Sequence, residues 1–239
     1  MATSGKELTD QRKIALTAGT SLVIMTLAAF FSYGFVHESL VVQGDAGATF
    51  HNIMSQHMLF KAEILGWVII LICDIVVAWA FYIFLKPIHT NLSLLGAWLR
   101  LVYTTILGIA ILNLILVSVL SSSTDYSLLF ETNQLQAQVM LYLEAFDPIW
   151  SIGLIIFGGH LLIVGYLAFQ SNSIPKVISI LVLIASIGYI VIHLSNTILP
   201  HYDGILTMLK LIFTVPMVAG ELGFGLWLLF RGGKASIQA

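Results

Sequence analysis

Apolar residues run almost unbroken through six stretches of this chain, roughly 14–36, 62–85, 91–119, 149–170, 176–199 and 205–230. Each is close to or longer than the ~20 residues a helix needs to cross a hydrocarbon core. Six transmembrane helices are therefore predicted. The breaks between them are strong: Lys86-Pro87 ends the second run and Arg231-Gly232-Gly233-Lys234 ends the sixth. Asp147-Pro148 opens the fourth, with Asp147 placed as N-cap and Pro148 at the first helical position, and Ser173 to Pro175 opens the fifth in the same manner. Two pieces are too polar to span: Asp45 to about Phe60, behind a Gly44-Asp45 turn, and Glu131 to about Phe146, polar at first and then amphipathic. They are expected as two short interfacial helices on the outer side, leading into the second and fourth spans. The fold class is all-α, a polytopic six-helix bundle forming one membrane domain over 1–239.

Within the runs, four ionisable residues fall at one depth. Asp74 lies 12 residues before Lys86, about 18 Å along a helix. Arg100 lies 10 residues after Thr90, His160 10 before Gln170 and Glu221 10 before Arg231, about 15 Å each. All four thus stand near the middle of a ~30 Å core. The second and third spans form a hairpin with a short loop, which makes Asp74 and Arg100 neighbours. Charges inside a membrane face a partner or a water-filled cavity, so these four are the candidate ligand- or proton-binding residues. A plain structural alternative is an Asp74–Arg100 ion pair that fixes two helices. Glu221 has no sequence-local cation. It must meet Arg100, His160 or water, or carry a proton.

Helical periodicity extends the polar layer in one direction. Glu63, Trp67, Ile70 and Asp74 share a face of the second span, as do Lys210, Thr214, Met217 and Glu221 on the sixth. Ser179, Ser186, Tyr189, His193 and Thr197 share one on the fifth. These stripes predict an outward polar cavity lined by Glu63, Lys210, His193 and Tyr189 and floored by the charged layer. Hydrogen bonds between helices with no cavity are the competing account. Gly153, Gly158, Gly159 and Gly165 on the fourth span, and Gly220, Gly223 and Gly225 on the sixth, permit close helix approach or leave room beside His160 and Glu221. Pro216 should kink the sixth span and free the carbonyl of Ile212.

Composition agrees with a membrane solvent. Of 239 residues 59% are hydrophobic and 9% charged, against ~25% charged in soluble domains. The first apolar run is about 23 residues, longer than the 7–15 of a secretion signal, and is read as a retained span. With the N-terminus inside, Lys6, Arg12, Lys13, Lys86, Lys176, Arg231 and Lys234 are cytoplasmic, and only Lys61 and Lys210 lie on the other side. That asymmetry puts both termini in the cytoplasm. No basic patch suggests nucleic acid. The single cysteine, Cys73, allows no intrachain disulfide. His51 and His57 are six apart, not the three or four that place two ligands on one helical face. Zinc on His51, His57, His193 or His201 has no motif behind it, and the unequal depths of His160 and His193 argue against a bis-histidine haem. No cofactor is expected.

Five pieces carry a resemblance to a known family: VVQGDAGATFHNI at 41–53, LICDIVVAWAFYIFLKPI at 71–88, LLGAWLRLVY at 94–103, GGHLLIVGYLAFQSNSIPKVIS at 158–179 and GELGFGLWLL at 220–229. Together they resemble a bacterial multi-pass membrane family catalogued as domain-of-unknown-function family 4386, over nearly the full length. Each of Asp74, Arg100, His160 and Glu221 lies in one of these pieces. Gln170 stands where the family often has an arginine. The resemblance implies a fold and a cell-membrane location, and brings no activity. Three functions remain open: a ligand- or proton-binding bundle, sensor or carrier; a membrane enzyme with Asp74 or Glu221 as acid or base, His160 as proton shuttle and Arg100 holding an anion; or an accessory subunit whose charges only lock helices. Partners beyond the lipid bilayer, whether a small-molecule or lipid ligand, a protein or a second copy, are equally open.

Overall fold

The computed structural model of the chain describes residues 2–122, 129–198 and 203–234. Six helices are long and apolar enough to cross a membrane, and no strand occurs among the described residues. The first span, Leu8–Leu40, is composite: α1 (Ala2–Ala29) runs on through a π-helical stretch, Phe30–His37, into a last turn, α2 (Glu38–Leu40). A short α3 (Ala46–Ser55) precedes α4 (His57–Leu85) and α5 (Thr90–Ser122). The remaining spans are α6 (Thr132–Gln170), α7 (Lys176–Ile198) and α8 (Asp203–Phe230). Large apolar side chains stay outside: Leu27, Trp98 and Leu211 are 64%, 62% and 80% exposed. That is tolerable where the solvent is lipid, and with backbone bonds closed inside each helix the chain is a multi-pass membrane protein.

Local chemistry sets the breaks. Gly44 has φ +78°, which glycine reaches without penalty. Asp45 follows as N-cap of α3, its Oδ1 accepting from the Ala48 N–H at 2.8 Å, as the sequence predicts. Thr49 Oγ1 and Asn52 Nδ2 bond back to Val42 and Leu40 and fasten α3 under the first span. In the α4–α5 hairpin, Ser93 Oγ donates to the Tyr82 carbonyl at 2.7 Å and the Leu92 N–H donates to His89 Nδ1. At the end of α6, Lys176 Nζ reaches the carbonyls of Phe169 and Ser171. A cation on terminal carbonyls also opposes the negative end of the helix dipole.

The fourth span departs from the Asp-Pro reading. The segment from Glu131 to Phe146 is not a separate interfacial helix; apart from Glu131 it is the first part of the 39-residue α6, and Pro148 lies inside that helix. Leu135, Val139, Leu143 and Phe146 form one buried stripe along it. Their packing holds the amphipathic segment on the axis of the span, so Asp147 has no helix start to cap. Its carboxylate is instead hydrogen-bonded to Tyr33. Proline then removes only one backbone bond, to the Glu144 carbonyl.

The described chain divides into two compact units. The first comprises Met1–Met25, Ile72–Thr105 and Ser151–Ala239, the second Thr26–Leu71 and Ile106–Trp150. In the first, α1 packs on α8 so closely that a Cβ on Gly19 would lie 2.8 Å from the Gly225 carbonyl oxygen. Arg12 finishes the contact by donating to the carbonyls of Leu228 (3.0 Å), Leu229 and Gly232 (2.8 Å). Gly220 lies against the Leu181 backbone and Gly158 against Ile190 and the Ser186 carbonyl, so α7 touches α8 and α6 through glycine. In the second unit, a Cβ on Gly66 would collide with Ser32 Oγ, which donates to the Glu63 carbonyl at 3.1 Å. Small residues at such crossings supply the van der Waals contact that drives association in lipid.

Gly66→Val should therefore overpack the Ser32 contact and lower stability by about 1–3 kcal/mol. Gly223→Ala, where an added Cβ meets nothing within 4 Å, should be neutral. Thermal unfolding of both variants in detergent, followed by circular dichroism, checks the contrast.

Candidate functional site

The first unit brings Asp74, Arg100 and His160 together. Asp74 of α4, Arg100 of α5 and His160 of α6 are 0%, 1% and 0% exposed. Arg100 Nη2 lies 2.6 Å from Asp74 Oδ1, confirming the hairpin neighbours expected from sequence. Asp74 Oδ2 and Arg100 Nε have no hydrogen-bond partner in the protein. The other guanidinium nitrogen, Nη1, is 3.1 Å from His160 Nε2, and Nη2 also approaches Met25 Sδ at 3.8 Å. Two phenyl rings flank the group: the guanidinium carbon lies 5.2 Å from the Phe157 centroid and 5.8 Å from that of Phe81. The same two rings stack on His160, at 5.7 and 5.9 Å. Cation–π contact in a desolvated place contributes to holding the charge.

The state of His160 follows from its partners. Nδ1 is 2.8 Å from the Gly96 carbonyl oxygen, which can only accept, so Nδ1 carries the proton. Nε2 faces a guanidinium, which can only donate, so Nε2 is the bare acceptor. The imidazole is neutral and wedged between a backbone carbonyl and a cation. It braces Arg100 and adds no charge.

Glu221 is half-buried on α8 and takes a partner that the sequence reading did not name. The Tyr189 hydroxyl of α7 donates to Glu221 Oε1 at 2.6 Å. Arg100 and Asp74 are also within electrostatic reach of Glu221. Tyr189 meets Phe157 edge to face at 5.1 Å and stacks with His193 at 6.0 Å. His193 Nδ1 is 2.9 Å from Ser151 Oγ, which also accepts from Asn196. Tyr189, assigned from sequence to the outer cavity, is therefore part of the buried layer. Lys210 is within electrostatic reach of His193, but it is exposed, as is Thr214 above it. The stripe on the sixth span is thus not buried along its length. On α4, by contrast, Glu63, Trp67, Ile70 and Asp74 are all buried, as the periodicity predicts.

Glu63 belongs to the second unit. Its Oε1 is 2.9 Å from His37 Nδ1, a second buried pair that the sequence reading missed, because His37 falls just beyond the first apolar run, 14–36. A histidine at the end of an apolar run, 26 residues before a buried carboxylate, was the available signal. Cys73 is a free, partly buried thiol beside Asp74. Among the described residues, no three His, Cys, Asp or Glu side chains gather in a way that could hold a metal ion. His201 lies outside the described residues.

A model of the family described as Domain of unknown function (DUF4386) matches residues 17–232. The chain belongs to that family. All four midplane residues fall inside the match. An uncharacterized protein of Archaeoglobus fulgidus is similar, 30% identical over 176 residues that cover 73% of this chain and 86% of the relative. No solved structure matches the chain. Family membership thus fixes a membrane helical bundle without an assigned activity.

Arg100→Leu should leave Asp74 buried and uncompensated and cost about 3–5 kcal/mol, whereas Asp74→Leu with Arg100→Leu should recover much of that loss. A double-mutant cycle on unfolding in mild detergent measures the coupling. Additive effects would mean that the pair contributes nothing as a pair.

Proposed function

We propose that this protein is a proton-binding membrane bundle, with Glu221 as the carboxyl that gains and loses the proton. The observation that carries the reading is the neutral tautomer of His160. Among the described residues of the layer, one cation, Arg100, then faces two carboxylates, Asp74 and Glu221. The surplus negative charge inside a membrane must be neutralised. A proton on Glu221 does so with least rearrangement, because Asp74 already has the guanidinium at 2.6 Å. Tyr189 from α7, Arg100 from α5 and Asp74 from α4 are the groups that act on Glu221. The buried, unpartnered Arg100 Nε supports a water or small ligand in the same place. Binding and release of one positive charge suits a proton-coupled carrier or sensor.

The reading includes both termini in the cytoplasm, supported by the lysine and arginine asymmetry, and a cell-membrane location, the cytoplasmic membrane in a bacterium. A second reading, an accessory subunit with the layer as a lock, is favoured by the complete burial of Asp74 and Arg100. Partners for such a subunit would lie along the lipid-facing flank.

Infrared difference spectroscopy of the reconstituted protein separates the two. The proposal expects a protonated-carboxyl band that Glu221→Gln removes, present at low pH and lost as pH rises. Tyr189→Phe should shift that band by deleting the donated hydrogen bond. A carboxyl signal that no pH alters, or that survives Glu221→Gln unchanged, would leave the lock reading in its place.

A further inference from the structure

The second unit contains a polar cluster unrelated to the Arg100 layer. It is built where the first span leaves α-helical geometry. The π-helical stretch Phe30–His37 carries Tyr33 and His37 with rings stacked at 5.2 Å and 13°. Such π turns concentrate at functional sites. Across from them stands α4 with Glu63, 0% exposed, and Trp67, 1% exposed, one turn further on. Tyr33 contacts Trp67 and Trp150 edge to face at 6.2 and 5.7 Å, and Trp67 packs on Phe146 and Trp150 at 5.0 Å each. Three carboxylates act on His37: Glu63 by direct contact, with Glu38 and Asp147 at longer range.

Two polar atoms in this cluster are left over. Glu63 Oε1 is taken by His37, but Oε2 is buried with no partner, and so is the indole Nε1 of Trp67. One is an acceptor that needs a donor, the other a donor that needs an acceptor. Leaving either unmet in an apolar interior is destabilising, so a bound group that meets both would relieve two costs at once. Glu63 and Trp67 stand one turn apart on the same face of α4, so a small group with a donor at one end and an acceptor at the other can meet both side chains. The carboxylate surplus and the aromatic rings select a cation for the donor end.

We infer that the Glu63–Trp67 face of the second unit binds a small primary ammonium carrying an oxygen acceptor, the ethanolamine group. The ammonium donates to Glu63 Oε2 and the oxygen accepts from Trp67 Nε1. His37 holds the other carboxylate oxygen in place. Free ethanolamine and an ethanolamine lipid headgroup present the same chemistry. This inference does not depend on proton binding at Glu221.

The test uses the full chain in detergent, titrated with ethanolamine hydrochloride while tryptophan fluorescence is read. The expected result is a saturable change, at least about tenfold weaker in Glu63→Gln and in Trp67→Phe, where Trp150 still reports; a tenfold loss matches one charge-assisted hydrogen bond. Tetramethylammonium, which has no N–H, and sodium at equal ionic strength should not reproduce it. Should Glu63→Gln fail to fold, the Trp67→Phe comparison alone decides. Equal responses to sodium or tetramethylammonium overturn the inference, as does unaltered affinity in both variants. Absence of a saturable response in detergent, together with equal thermal midpoints in phosphatidylethanolamine and phosphatidylglycerol nanodiscs, also overturns it and leaves the two atoms to a buried water. A midpoint raised only by phosphatidylethanolamine, and only with Glu63 present, identifies the lipid headgroup as the source.

Discussion

A guanidinium in hydrocarbon cannot be left alone, and Arg100 shows how much structure that single fact recruits. Water is absent, so the charge must be met by protein atoms. Asp74 meets it from α4, His160 from α6 and the sulfur of Met25 from α1. Two phenyl rings close the remaining sides. Three other helices are thereby tied to one side chain of α5, and each contact constrains the others. His160 can brace Arg100 only because the Gly96 carbonyl fixes its tautomer, and Gly96 is one turn from Arg100 on the same helix. The guanidinium thus helps to orient the histidine that orients it.

The spans were legible in the sequence because a membrane imposes one unmistakable demand, some twenty apolar residues without interruption. Asp45 was legible as a cap for an equally local reason, since its side chain satisfies an N–H only three residues away. The Asp74–Arg100 pair could be read from a short hairpin loop and a count of turns. What could not be read depends on rotation and on partners distant in sequence. Tyr189 reaches Glu221 across 32 residues, and no periodicity says which face of one helix meets which face of another. The Asp147-Pro148 start was misread because a local rule lost to a longer one: the Leu135–Phe146 stripe keeps α6 on its axis. Arg12, expected from sequence only as a charge beside the first span, caps a helix more than two hundred residues later.

Two polar assemblies sit in this protein, and their chemistry differs. The Arg100 layer is built around a fixed cation with a neutral imidazole behind it. The His37 cluster is built around carboxylates in an aromatic surround, with no lysine or arginine among the contacts described. The first sets one cation against the carboxylates of Asp74 and Glu221, and in the second Glu63 Oε2 and Trp67 Nε1 have no protein partner. Both draw members from α4, whose inward face carries Glu63, Trp67 and Asp74 in one buried stripe.

The contact between α1 and α8 has a consequence for how the chain is made. Gly19 meets Gly225, and Arg12 grips carbonyls up to Gly232. More than two hundred residues separate these partners, so that face of α1 gains its neighbour only once α8 has been synthesised. Through most of translation it must wait in lipid with its glycine groove open and Arg12 ungripped. Completion of the turn at Gly232 is then the event that shuts this face.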